Sequence, residues 1–309
     1  MYNHKSLFIK VKECSTMLRK LLISVLLGAV TTVVLADDAN IAVNPDEGKM
    51  GEVKRVPKDN EFKVCADQNN LPYSNSAGEG FENKIAELLA KDLGKELSYQ
   101  YWPDRFGFLR NTLNAYRCDY LIGTNTTYDA LNTTKPYYRA GHVWVYRKDK
   151  GYDIKDWTSP DLRKGIIGVN DKSPVAVALN DNDLMANARP YRIQRDLNQK
   201  PSELIDDVAD GKIDIAIAWG PIGGYYAKKS DVELVVVPIP EYENTKITGK
   251  TYWNISGGVR KKEDERRDEL EKAIFKNKDK ILKILDDYGI PHSDPTFNNT
   301  LDGYKRHKQ

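Results

Sequence analysis

Amide, hydroxyl and aromatic side chains gather in four short segments of this chain, residues 67–76, 125–129, 170–174 and 219–225, none of which contains an arginine. Neutral amides and hydroxyls suit hydrogen bonding to a polar, uncharged ligand. With Trp102, the candidate residues for a ligand or partner cleft are Asp67, Asn69, Asn70, Tyr73, Asn125, Thr126, Thr127, Tyr128, Asn170, Ser173 and Trp219. Turn geometry alone also enriches loops in Asn, Asp and Ser, so the prediction depends on the set and not on any single residue.

Sequence patterns for catalysis or metal binding are lacking. Beyond residue 36 the sequence has three histidines, His142, His292 and His307. No spacing of His, Cys, Asp and Glu matches a zinc site, and no nucleophile elbow or phosphate-binding P-loop occurs. We therefore expect a protein that is not an enzyme and that carries no cofactor or metal.

The elements that must position these segments alternate between strand and helix. Apolar runs predict strands at 62–66, 97–102 and 118–123, and again at 165–169 and 213–219. Helical spacing predicts helices beginning at Phe81 and Phe106, another over 202–209, and two more near Leu270 and Ile281. Strands linked by short helices predict an α/β fold with a mostly parallel sheet. Ligands bind at the carboxyl ends of such strands, where the four segments lie.

The order of elements predicts two α/β domains. Residues 37–60 are expected to form an N-terminal arm. Two β-branched segments, 142–146 and 234–238, flank the second block of elements and are interpreted as hinge strands. Domain 1 would then comprise residues 61–143 and 238–309, and domain 2 residues 144–237.

The N-terminus has the features of a signal peptide. Arg19 and Lys20 precede an apolar run over 21–35, and Ala36 stands before two aspartates. A membrane anchor is the alternative, but a spanning helix needs about 20 apolar residues. We expect residues 1–36 to be removed, leaving a periplasmic protein without stable membrane association.

Charge argues against a nucleic-acid partner. Residues 1–36 contain five basic residues and one acidic residue, so the net charge of +2 becomes −2 once they are removed. A nucleic-acid-binding surface normally carries a basic patch. We expect no nucleic acid to bind.

Two cysteines, Cys65 and Cys118, remain after residue 36. An oxidising compartment favours a disulfide between them. However, they fall at opposite ends of strands predicted to be parallel neighbours, and this stagger exceeds the Cα separation that a disulfide tolerates. Two buried thiols are therefore preferred, with the Cys65–Cys118 bond as the alternative.

Several motifs resemble a known family. They are residues 64–75 (VCADQNNLPYSN), 78–83 (GEGFEN), 117–119 (RCD), 133–138 (TTKPYY) and 218–221 (AWGP). The order of elements resembles type II periplasmic binding proteins for amino acids, and the motifs are similar to the MxaJ/XoxJ family of methanol dehydrogenase systems. The resemblance covers about residues 60–290 and implies a two-lobed periplasmic binding protein fold with two hinge strands.

The resemblance also implies a function. It predicts a periplasmic accessory protein in methanol oxidation that binds a pyrroloquinoline-quinone methanol dehydrogenase through its large subunit and assists its assembly, maturation or activation. The alternative is a solute-binding protein for a small polar ligand. Amino acid carriers of this fold use an Arg after the first-lobe strand and an Asp in the second lobe. Here residues 125–130 lack arginine and Trp219 replaces the Asp, so free α-amino acids are not expected to bind.

Overall fold

The computed structural model describes residues 55–104, 107–126, 128–193, 199–242 and 251–296. The predicted signal peptide, most of the predicted N-terminal arm and the candidate residue Thr127 lie outside these ranges. In the described ranges strands and helices alternate, as the sequence predicts for an α/β fold.

Twelve strands are described. They are β1 (Glu61–Ala66), β2 (Asn69–Asn70), β3 (Ser74–Asn75), β4 (Glu96–Tyr101), β5 (Leu121–Asn125), β6 (Asn132–Thr133), β7 (Tyr138–Arg147), β8 (Ile167–Asn170), β9 (Ala188–Tyr191), β10 (Ile215–Trp219), β11 (Leu234–Pro238) and β12 (Tyr252–Val259). The described α-helices are α1 (Phe81–Leu93), α2 (Phe108–Asn111), α3 (Ala176–Asp181), α4 (Glu203–Ala209), α5 (Gly220–Lys229), α6 (Asp264–Lys276) and α7 (Lys278–Asp287).

Helix α1 shows how closely the local sequence dictates structure. Phe81, Ile85 and Leu89 recur at helical spacing and are fully buried. Gly94 ends the helix in the left-handed region at φ 66°, and its N–H bonds back to the last turn. Glycine adopts this conformation without the steric cost that a Cβ would add. The start of the helix therefore agrees with the prediction.

The first half of the structure is built on β1. This strand pairs in parallel with β4 on one edge and contacts the start of β5 on the other through a parallel bridge between Val64 and Tyr120. Strand β12 runs antiparallel to both β5 and β6. Helices α1, α6 and α7 cover these strands, and one apolar cluster unites Phe62, Leu270 and Ile281. This half is a compact βα layer with its own core.

The second half is built around β10. Strand β10 pairs in parallel with β8, which pairs in parallel with β9, while β7 lies antiparallel to β10 and β11. Trp144 and Tyr146 belong to the apolar cluster on one face, and Val143 and Val145 to the cluster on the other. Alternate side chains of a strand point to opposite faces, so a strand covered on both faces must be apolar throughout.

Strand β7 passes from one half to the other. Residues 138–141 pair with β12, and residues 142–147 pair with β10 and β11. The predicted extended segments 142–146 and 234–238 thus lie in β7 and β11. The sheet is mixed, not mostly parallel, because β7, β11 and β12 all pair antiparallel with neighbours.

Two further local predictions differ from the structure. The predicted helix near Leu109 is reduced to the four residues of α2, because Thr112 already has non-helical angles. The predicted segment 219–225 is not a loop, because Trp219 ends β10 and residues 220–225 are the first part of α5. Pro221 is compatible with the first turn of a helix, because a backbone N–H at that position would have no partner within the helix. The Gly-Pro composition of this segment therefore does not indicate a loop.

The cysteines form a disulfide, with their Cα atoms 5.3 Å apart. The preference for two thiols was wrong because it placed Cys118 on a regular strand. Strand β5 begins only at Leu121. Before it, the N–H groups of Asp119 and Tyr120 both donate to the carbonyl of Lys63, at 2.8 and 3.1 Å. The chain bends at this shared acceptor, which removes the expected stagger.

Candidate functional site

The carboxyl ends of two sets of strands face each other. Strand β5 has the same direction as β7, because both run antiparallel to β12, and it ends at Asn125 opposite Ile255. Strand β10 runs against β7 and ends with Trp219 opposite His142. Both ends therefore point toward the middle of β7, where its pairing changes between Gly141 and His142. This edge is the expected place for a ligand in a sheet of this kind.

Asp67, directly after β1, organises the first loop. Its carboxylate accepts hydrogen bonds from the N–H groups of Asn69 and Asp104, at 2.9 and 2.8 Å. Its main chain exchanges hydrogen bonds with the Ser74 hydroxyl, at 3.1 and 2.8 Å. Asp67 is buried, and these bonds hold the β2–β3 hairpin beside the end of β4. Its carboxylate shapes the loop.

The hairpin in turn caps helix α1. The N–H groups of Phe81 and Glu82 donate to the carbonyls of Pro72 and Tyr73, at 2.8 and 2.9 Å. The first N–H groups of a helix have no partner within the helix, so these bonds satisfy them. A side chain at Gly80 would collide with the Tyr73 carbonyl. The close approach fixes Tyr73 relative to Glu82.

Tyr73 and Trp219 bring the two halves into contact. Both side chains pack against the apolar cluster of the first half, although Trp219 ends β10 in the second. The pKa of the Tyr73 hydroxyl is raised by burial and by the nearby Glu82 carboxyl, while the indole of Trp219 opposes the rise. The Trp219 ring lies edge-on to His142, with 5.4 Å between ring centroids. These aromatic residues form a wall at the edge where the strand ends meet.

Glu82 adds a carboxyl group to this wall. It is partly buried, and its Oε1 atom lies against Gly123 on β5, where any side chain would collide with it. Burial, and then the carboxylate of Asp104, raises the pKa of Glu82 to about 8. No cation of the described residues forms an ion pair with Glu82 or opposes this rise. The group is therefore mostly protonated at pH 7.

Four tyrosines surround Glu82. Its charge contributes, after burial, to the raised pKa of the hydroxyls of Tyr73, Tyr99, Tyr137 and Tyr138. The Tyr137 hydroxyl donates to the Ile122 carbonyl at 2.9 Å. Tyr138 is 2% exposed. The Glu82 carboxyl thus lies among tyrosine side chains at this edge.

His142 is held neutral. Burial lowers its pKa, and its Nδ1–H can donate to the Thr251 carbonyl at 2.9 Å. A neutral imidazole at the crossing point adds no charge to the cleft. It instead links β7 to the residues that precede β12.

The remaining candidates lie at the same edge but differ in their surroundings. The Thr126 hydroxyl is bonded to Asn254 and Ser256 of β12, at 3.0 and 2.8 Å, which ties it to its own sheet. Tyr128 is 47% exposed. Thr127 lies outside the described residues. This leaves Tyr128 as the exposed aromatic of the turn.

Two groups complete the set. Asn170 ends β8 next to the end of β10, and its carbonyl accepts the Ser173 N–H at 3.2 Å. The Oδ1 atom of Asn170 is buried without a partner in the described residues. Trp102 follows β4 and donates its N–H to the Ala66 carbonyl at 3.0 Å, while Asn69 is exposed and Asn70 partly exposed in the hairpin.

No cluster of His, Cys, Asp and Glu suitable for a metal ion is found in the residues that the structure describes. Within the same ranges, no helix is long and apolar enough to cross a membrane.

Residues 62–289 match the model of the bacterial extracellular solute-binding proteins, family 3. The chain belongs to this family. The match spans both halves of the structure and the crossing strand β7, so it covers nearly all the described elements.

The chain is also similar to three named proteins. Protein MoxJ of Methylorubrum extorquens is 30% identical over 251 residues, covering 76% of this chain and 82% of that protein. The structure of MxaJ from Methlophaga aminisulfidivorans has a TM-score of 0.67 at 31% identity, covering 75% of this chain and all of that chain. The periplasmic binding protein XoxJ from Methylobacterium extorquens has a TM-score of 0.63 at 33% identity, covering 76% and 100%. The predicted membership of the MxaJ/XoxJ group and the two-lobed periplasmic binding protein fold are confirmed.

Sequence reasoning missed Glu82 as a site residue, although it lies within one of the motifs. A signal was available, since Glu82 occupies the first turn of the helix that follows β1. In a βα unit the start of the helix lies at the same edge as the carboxyl end of the strand. A carboxyl group in that turn is therefore a cleft candidate.

Proposed function

We propose that this protein is a periplasmic accessory protein of a methanol dehydrogenase system. It would bind the dehydrogenase, through the large subunit, and assist its assembly, maturation or activation without catalysing a reaction itself. Similarity to MoxJ, MxaJ and XoxJ over three quarters of the chain carries this proposal. The signal-peptide pattern and the extracellular family support a periplasmic location.

The cleft supports a role other than amino acid transport. Amino acid carriers of this fold pair the ligand carboxylate with an arginine, and the four cleft segments contain no arginine. Trp219 stands where the ammonium-binding Asp of amino acid carriers is expected, and it packs against the opposite half. Glu82 also repels a ligand carboxylate whenever it is ionised. A protein interface requires none of the missing groups.

Calorimetry with the purified dehydrogenase large subunit tests the proposal. We expect the mature chain to bind with a micromolar or lower Kd. Tyr128→Ala should weaken binding by about tenfold or more, as is common for an exposed aromatic at an interface. Phe275→Ala is the matched control, because Phe275 is also exposed, at 41%, but lies on α6. No binding at micromolar concentrations would refute the proposal.

A small-molecule carrier is the second candidate, and the Glu82 carboxyl among tyrosine side chains at this edge favours it. Ligand binding would then close the cleft, as seen by X-ray scattering, and would raise the melting temperature. Trp219→Ala would weaken the ligand more than it weakens the dehydrogenase. Equal effects on both would argue against a separate ligand.

A further inference from the structure

Two chain crossings join the halves of the structure, and they lie side by side. One is β7 between Gly141 and His142, where its pairing changes from β12 to β10. The other is the segment after β11, where the Ile239 N–H donates to the His142 carbonyl at 3.0 Å. Adjacent strands lie about 5 Å apart, so these two crossings alone would leave the halves free to rotate about one shared axis.

Helix α5 makes a third connection, which begins at the crossing itself. A Cβ at Gly220, the first residue of α5, would lie 2.6 Å from the Gly141 carbonyl oxygen. One turn later, a Cβ at Gly224 would lie 2.0 Å from the Gly289 carbonyl oxygen, in the turn after α7. Both distances are far below van der Waals contact, so the backbones of the two halves meet at these points with no room for a side chain.

The connection continues to the far end of α5. Lys228 donates to the carbonyls of Asp286 and Asp287, at 3.3 and 2.8 Å, and so caps the last turn of α7. At 1.5 Å per residue, Lys228 lies about 12 Å along the helix from Gly220. A rotation of about 15° over that distance displaces Lys228 by about 3 Å, which is enough to break these hydrogen bonds.

Two tyrosines hold other sides of the same helix. The Tyr225 ring stacks on the Tyr288 ring of the first half, with 5.9 Å between ring centroids. The Tyr226 hydroxyl donates to the Leu71 carbonyl in the hairpin at 3.1 Å. Tyr226 lies about 200° around the helix from Gly224, so a rotation about the axis of α5 itself is opposed as well.

We propose that α5 is a clasp that locks the two halves in one relative orientation. The residues of the clasp are Gly220, Gly224, Tyr225, Tyr226 and Lys228. The edge where the strand ends meet then keeps a fixed width, and whatever binds there meets a preformed surface. A carrier that closes on its ligand would have to break the clasp, whereas a docking surface for a protein needs no closure. This inference goes beyond the proposed function and does not depend on it.

Pulsed electron paramagnetic resonance between two nitroxide labels measures how freely the halves move. The labels are attached to the mature chain through Lys91→Cys on α1 and Asp206→Cys on α4, both exposed positions. Cys65 and Cys118 do not react with the label, because they form a disulfide. We expect a single distance distribution, no wider than that of a reference pair within the first half, Lys91→Cys with Glu265→Cys.

Two variants open the clasp, and a third is their control. Tyr226→Phe with Lys228→Ala removes the polar contacts and should widen the distribution by at least about twofold. Gly224→Leu places a side chain where none fits, so it should also shift the mean distance. Tyr101→Phe with Lys272→Ala is the matched control, because the Tyr101 hydroxyl bonds within the first half and Lys272 is exposed on α6. The control should leave the width unchanged.

The proposal is overturned if the parent chain gives two distances or a distribution wider than that of the reference pair. It is also overturned if the opened variants, folded by circular dichroism, keep a distribution as narrow as that of the parent. Should Gly224→Leu fail to fold, the variant with Tyr226→Phe and Lys228→Ala decides the outcome alone. No arm uses the dehydrogenase, so failure here is distinct from failure of the proposed function.

Discussion

Asp119 is a fully buried carboxylate that contacts three arginines. Its Oδ1 atom lies 2.6 Å from Arg260 and 3.6 Å from Arg266, and Oδ2 contacts Arg55. Arg260 also lies 4.5 Å from the centre of the Tyr116 ring and donates to the Cys118 carbonyl at 2.5 Å. Because Arg260 directly follows β12, the ion pairs join that strand to the turn that precedes β5.

Asp119→Asn should therefore destabilise the protein. Removing one partner of a buried ion pair leaves uncompensated charge and costs about 3–5 kcal/mol. Urea unfolding at pH 7 measures the loss. Asp268→Asn is the control, since the Asp268 side chain is 53% exposed in its pair with Arg267, and exposed pairs contribute about 0–1 kcal/mol. Equal losses of stability in the two variants would contradict the role of Asp119 as a buried ion-pair partner.

Glu82→Gln should change how stability depends on pH. The folded-state pKa of about 8 exceeds the usual 4.5, so the folded state holds this proton more tightly than the unfolded state. The contribution of this proton to the free energy of unfolding is fully present below pH 4.5 and is lost as the pH rises to 8. Glutamine does not titrate, so the variant should gain about 3 kcal/mol over the parent between pH 4.5 and 7. Parallel stability curves from urea unfolding would disprove the raised pKa.

The polar residues at strand ends were predictable because loops after parallel strands share an edge. Asp67, Tyr73 and Trp219 all lie there, and the cleft role of the full set remains a proposal. The position of Glu82 at this edge could be predicted from its place in the first turn of α1, but its raised pKa could not, because the pKa depends on the space left by Gly123 and on burial by distant tyrosines. Neither pattern nor composition encodes those contacts.

Helix α5 packs closely against the first half of the structure. A side chain at Gly224 would collide with the Gly289 carbonyl, and one at Gly220 with the Gly141 carbonyl. The Tyr226 hydroxyl donates to the Leu71 carbonyl at 3.1 Å. These contacts involve backbone atoms, so the glycines of α5 are required by close approach and not by their own torsion angles.

Gly224→Ala tests this packing. Alanine in a helix normally stabilises by up to about 1 kcal/mol relative to glycine. Here the backbone contact should reverse the sign, giving a net loss of about 1–3 kcal/mol from overpacking. Thermal unfolding of the variant measures it. A stabilised variant would show that α5 moves aside without cost.

Elements with clear periodicity were predicted well, including β1, α1, β10 and α7. Helix α5 was taken for a loop because its sequence, Gly-Pro-Ile-Gly-Gly, has low intrinsic helix propensity. Its stability comes from contacts with β7, β11 and the segment around Gly289. Tertiary packing overrides weak local preference, and such cases lie beyond sequence reasoning.

The disulfide joins residues 53 positions apart within the first half. By the loop-closure model, a bond over this separation stabilises the folded chain by about 4 kcal/mol. Cys65→Ala combined with Cys118→Ala should lower the free energy of unfolding by roughly that amount, as measured in urea. Reduction of the parent protein should give a similar loss. A change below about 1 kcal/mol in both would show that the bond is dispensable.

The division into two domains stays a proposal, with boundaries at 61–143 plus 238–309 and at 144–237. It is supported by separate apolar clusters and by the change of partners along β7 between Gly141 and His142. The strand itself is continuous through that point. Any relative movement of the halves must bend or twist a hydrogen-bonded strand.

Cys65 lies two residues before Asp67, whose hydrogen bonds set the hairpin that carries Tyr73. Before oxidation, the turn at Cys118 and this hairpin would be joined by hydrogen bonds and packing alone. If the proposed periplasmic location holds, the aromatic wall would reach its final rigidity only once the chain meets an oxidising environment. A reduced copy of the chain would then be a poor competitor for whatever the oxidised protein binds.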